Sequence, residues 1–108
     1  MGLPACLEEF DEYVKEFVST SGLEKKQEVL DRARAEAETR TNEKERERAD
    51  IYVKYMEKVI EKGEEFIDSE LTRVEKLSTS KVSDKKKEQL KDRANILTSF
   101  QLRIKDEL

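Results

Sequence analysis

The chain has 108 residues, the length of one domain, and 44% of them are Asp, Glu, Lys or Arg against 35% apolar. Its 22 basic and 26 acidic residues leave a net charge of only −4. That near-balance separates it from disordered chains, and the interleaving of both signs leaves no basic stripe for nucleic acid.

With no histidine, one cysteine and three glycines, the chain lacks the commonest general base near neutral pH. It also lacks any CxxC pair or internal disulfide, and any glycine-rich phosphate cradle. No metal or cofactor is expected, and no apolar run approaches the ~18–20 residues of a membrane span. Period-2 alternation is missing throughout, while helical spacing recurs everywhere, so the expected fold is all-α.

Pro4 suits the first turn of a helix, and Leu7, Phe10, Val14, Phe17 and Val18 follow on one face. Residues 19–22 (Ser-Thr-Ser-Gly) break that helix. A second helix, from about Leu23 to Glu38, offers a weak face of Leu23, Leu30, Ala33 and Ala37 with Val29 beside them. Residues 39–42 read as a loop, in which Asn42 and Glu45 form a capping-box pair.

The third helix, residues 43–62, carries a stripe of Ala49, Tyr52, Val53, Met56 and Ile60, and Gly63 suits a left-handed stop. A fourth places Phe66, Ile67, Leu71, Val74 and Leu77 inward and ends at residues 78–80. Ser83 is a good N-cap for a fifth, bearing Leu90, Ala94, Leu97 and Phe100. The pattern then decays, so residues 101–108 are expected to be a flexible tail behind a compact bundle of five short-to-medium helices at 1–100.

That tail ends Lys105-Asp106-Glu107-Leu108. In a chain of this composition the string has a chance probability of roughly one in several thousand, so it is read as an endoplasmic reticulum (ER) retention signal. No signal peptide is visible at the start. The chain is therefore expected to be the C-terminal domain of a longer secretory-pathway protein, with Met1 an added start.

Three further features are candidates for interaction. The densest basic cluster is Lys85-Lys86-Lys87, with Arg73, Lys76, Lys81, Lys91 and Arg93 near it in sequence. It is either a solvated face or a docking surface for an acidic partner. Tyr55 falls near the edge of the third helix's stripe, as core or as contact material. Cys6 is either a buried small hydrophobe or a regulatory or intermolecular thiol. The glutamate pairs at 8–9 and 64–65 read as solvated helix faces, with lysines at i+4 spacing adding support.

The segments GLPACL (2–7), YVKYMEKVIEKGEEF (52–66), SELTRVEKL (69–77), KVSDKKKEQL (81–90) and ANILTSF (94–100), closed by KDEL, carry a resemblance across nearly the whole chain. Together they resemble the C-terminal helical D domain of the protein disulfide isomerase-related ER protein 29 / Windbeutel family, in which close relatives often end in a KEEL-type variant.

The resemblance implies a five-helix domain that normally follows a thioredoxin-like domain. It implies residence in the ER lumen and a chaperone or escort role without catalysis. The implied partners are the KDEL receptor, the P domain of the calnexin and calreticulin lectin chaperones, and secretory client proteins. It further implies a parent protein that forms a homodimer through the preceding domain. The competing expectation is a structural helical spacer or oligomerisation domain of a redox-active protein disulfide isomerase.

Overall fold

Before any helix forms, the backbone makes a turn. The Cys6 N–H donates to the Leu3 carbonyl at 3.0 Å, with Pro4 second and Ala5 third at φ 73°, the pattern of a type II turn. Pro4 thus sits in this turn and not in the first turn of a helix; α1 begins only at Glu8. The computed structural model describes residues 3–107, and these form five helices: α1 Glu8–Ser19, α2 Leu23–Glu38, α3 Glu43–Lys62, α4 Glu65–Ser78 and α5 Asp84–Asp106.

Local chemistry sets the helix ends. Lys26 reaches back from α2 to donate to the Phe17 carbonyl at 2.7 Å, which satisfies an orphan acceptor at the end of α1. Asn42 Oδ1 accepts the Glu45 N–H at 3.0 Å, and Ser83 Oγ accepts the Lys86 N–H at 3.1 Å, so both expected N-caps form. The reciprocal half of the expected capping box does not form among the described residues, because the Glu45 side chain instead takes a hydrogen bond from Arg40 at 2.9 Å. Gly63 closes α3 with φ 92° and ψ 169°, a glycine-only region different from the left-handed helical one expected.

α3 is the central helix and touches all four others. That explains why its buried face is wider than one stripe: Tyr55 and Val59 are buried along with Ala49, Tyr52, Val53 and Met56. α2 contributes Val29, Leu30, Ala33 and Ala37 to the core, while Leu23 turns outward at 66% exposure.

Aromatic rings hold the middle of the bundle. Tyr52 lies 5.6 Å from Phe10 and 6.1 Å from Phe100 between ring centroids, and Tyr55 meets Phe100 edge-on at 6.2 Å. Each such pair adds about 0.5–1.5 kcal/mol beyond the area buried. The radius of gyration, 13.6 Å, is that of a compact domain of this length.

The expected tail is not irregular up to Glu107. α5 continues to Asp106 because Ile104 packs against the core, one turn beyond Phe100 and two beyond Leu97 on the same face. The Gln101 amide also donates to Asp68 Oδ1 at 2.8 Å, tying α5 to α4. Among the described residues no helix is long and apolar enough to cross a membrane.

Candidate functional site

The short α4–α5 connection brings most of the predicted basic residues to one end of the bundle. The Ser80 N–H closes on the Leu77 carbonyl at 3.1 Å, and Ser83 starts α5 three residues later. Lys76 therefore stands in the last turn of α4, Lys81 in the connection, and Lys85, Lys86 and Lys87 in the first turn of α5.

Lys76, Lys81, Lys85 and Lys87 are exposed and Lys86 is half-buried. None of the five has an acidic partner within 4 Å among the described residues. Lys76 complements the negative end of α4. The lysines of α5 oppose its positive end, where only Asp84 answers the dipole.

An open cleft of about 370 Å³ lies next to them between α3 and α5, with Lys44, Arg48, Ile51, Lys85, Gln89 and Arg93 among its walls. Acidic side chains, including Glu47 and Glu88, share the lining, so the cleft has mixed charge.

Two predicted contact residues are already engaged. Arg73 grips the buried Glu70 with Nε and Nη2 at 2.8 and 2.7 Å, and this hydrogen-bonded guanidinium holds the Glu70 carboxyl below its ordinary value despite burial. Tyr55, expected near an exposed edge, is 2% exposed. Burial, and then the negative charge of Glu70, push its hydroxyl up to about 12. It is a core residue because α4 and α5 both close over that side of α3.

A second polar group lies at the opposite end of α5 and was not foreseen. Tyr52 donates its hydroxyl to Asp11 Oδ1 at 2.5 Å and accepts the Leu7 N–H at 3.2 Å. Ser99 Oγ donates to the same Asp11 oxygen at 2.7 Å. Burial and the bond to Asp11 drive the Tyr52 hydroxyl far above its ordinary value.

Cys6 lies beside this group, half-buried, with Sγ donating to the Asn95 carbonyl at 3.6 Å. Burial pushes the thiol up, which keeps it protonated and a poor nucleophile at neutral pH. Asp11 accepts two protons that their owners keep, so the group works as a clasp joining the N-terminal segment, α1, α3 and α5.

At the C-terminus, Lys105 and Asp106 belong to the last turn of α5 and Glu107 caps it; Leu108 lies outside the described residues. Among those residues no group of three His, Cys, Asp or Glu side chains is placed to hold a metal ion.

The architecture defines the class: a small all-α five-helix domain. Residues 5–100 match the model for the C-terminal domain of endoplasmic reticulum protein ERp29, and the chain belongs to that family, a helical domain without catalytic function of its own. It is 30% identical over 102 residues to the Drosophila melanogaster protein windbeutel, covering 94% of this chain and 39% of that protein. It is also 36% identical over 95 residues to a probable protein disulfide-isomerase A6 of Medicago sativa, covering 87% of this chain and 25% of that protein. The chain thus spans well under half the length of these curated relatives, which belong to a family of ER proteins.

Proposed function

We propose that the domain is an ER-lumenal chaperone or escort module. It docks an acidic partner, the P domain of a calnexin- or calreticulin-type lectin chaperone, or secretory clients, through the lysine-rich α4–α5 end. Residues 105–108 retain it by engaging the KDEL receptor. The observation that carries this reading is the set of lysines at the start of α5. They oppose the helix dipole and have no acidic partner among the described residues, an arrangement that costs stability unless an external anion answers it.

Tyr55 is not part of this surface, because it is buried. Docking would then be mainly electrostatic, fast in encounter and weakened by salt. Titrating the domain with a lectin-chaperone P domain should shift the amide NMR signals of residues 79–91 at low salt. No shifts there at any ratio would refute the docking reading.

One observation favours a second reading. Among the described residues only Leu3, Leu23 and Leu102 are exposed large hydrophobics, which is little apolar surface for gripping unfolded clients. A helical spacer or oligomerisation role within a longer disulfide isomerase relative fits that economy. It predicts no shifts with the P domain, and altered assembly or domain spacing of the parent protein when the domain is deleted.

A further inference from the structure

A short terminal address is read by a receptor that must reach several successive residues, so it is normally presented on a flexible stem. Among the described residues no such stem precedes the tetrapeptide. Ile104 is half-buried and packs against the core, and the tetrapeptide begins at the next residue. Lys105 and Asp106 are helical, and the Glu107 N–H is spent on the carbonyls of Ile104 and Lys105. Arg103 adds a loose ion pair to Asp106 at 3.9 Å. In a helix Lys105 and Asp106 point about 100° apart and rise ~1.5 Å each, whereas an extended strand advances ~3.3 Å per residue and frees its backbone groups.

We propose that the C-terminal tetrapeptide is a partly latent address: the receptor reads it only when the last turn of α5 unwinds, so the helix–coil equilibrium at this end sets how firmly the protein is retained. The inference rests on the reading of residues 105–108 as a retention signal and adds a regulation of that site. Helix ends fray at little cost, and apparent affinity is lowered by the fraction of molecules in the competent state. With the last turn open in roughly a fifth to a half of molecules, the native chain should bind about two- to fivefold more weakly than one whose tetrapeptide is always free.

The test is competition by the full-length protein against a fluorescent peptide ending in KDEL, on membranes bearing the receptor. Four proteins are compared: wild type, a deletion of residues 105–108, a Gly-Ser-Gly-Ser insertion between Ile104 and Lys105, and Leu102→Gly/Arg103→Gly, which loosens the turn without lengthening the chain. The expected result is that the deletion is inert and the insertion competes about two- to fivefold better than wild type. The double glycine variant should also exceed wild type.

Equal competition by wild type, insertion and glycine variant, with the deletion inert, overturns the latency and leaves the address standing. Gain from the insertion alone overturns unwinding as the cause, since length would then be what matters. A deletion that competes as well as wild type overturns the address reading and the latency with it.

Discussion

At the scale of single residues, the carboxylate of Asp11 ties distant parts of the chain together. It accepts from Tyr52 on α3 and Ser99 on α5, side chains far from it in sequence. Tyr52→Phe removes one donor to that carboxylate and leaves the Leu7 N–H without its acceptor. Loss of about 1–3 kcal/mol is expected, measurable as a lower midpoint in urea at unchanged m-value.

Ala5 offers the opposite change. Its φ of 73° is strained for a residue with a side chain, so Ala5→Gly should raise stability by about 0.5–1 kcal/mol.

Alkali probes the tyrosines. Burial raises all three above the ordinary value of 10.0, Tyr55 to about 12. A raised tyrosine pKa contributes stability that is fully present below pH 10 and is lost as the pH climbs through the folded value. Spectrophotometric titration should therefore show the buried Tyr52 and Tyr55 ionising only well above pH 10, and their absorbance step should coincide with loss of helix by circular dichroism. Glu70 works in the other direction. Arg73 holds it below its ordinary 4.5, so its contribution is present above that pH and disappears as the pH falls through the lowered value. Arg73→Ala should make acid unfolding begin at higher pH.

Among the helices, α5 shows the sharpest conflict between stability and proposed use. Reversing Lys85, Lys86 and Lys87 to glutamate puts negative charge at the positive end of the helix. Thermal stability should rise, by about 1–2 kcal/mol in total, while P-domain affinity falls at least tenfold in low salt if these lysines form the docking surface. Stabilisation without any loss of affinity would move the contact elsewhere.

Some helix limits were legible because one residue decides them, although Pro4 did not mark the start of α1. Gly22, Asn42 and Gly63 bound α2 and α3 at the residues that sequence reasoning gives. Ile104 was legible in principle, one turn past Phe100, but polar neighbours hid the continuing face. Tyr55 was not, because its burial depends on how many helices surround α3 and not on the periodicity of α3 itself.

For the whole molecule, sequence patterns reach the all-α class, the number of helices and the gathering of lysines at one turn. They do not reach contacts that need the tertiary path. The Asp11 clasp spans separations of 41 and 88 residues, and nothing periodic marks its members. The Glu70–Arg73 pair lies within one helix, three residues apart, yet its importance comes from burial by neighbouring elements. Arg40 is similar: it joins Glu9 of α1, Glu36 of α2 and Glu45 of α3 while covering the Phe10 ring. Its position in a loop of the sequence gives no hint of that junction.

The clasp and the last turn of α5 together bring the two ends of the described chain to one place. Leu3 and Asp106 both line a cleft of about 400 Å³, with Leu102 and Arg103 beside them. A short glycine bridge should be able to join these ends, with new termini opened between Ser21 and Gly22, two exposed residues in the break before α2. Such a circular permutant is expected to keep the native circular dichroism spectrum and a single cooperative melt. It would show that this bundle is a closed ring of contacts, one that can be cut and rejoined without choosing a new fold.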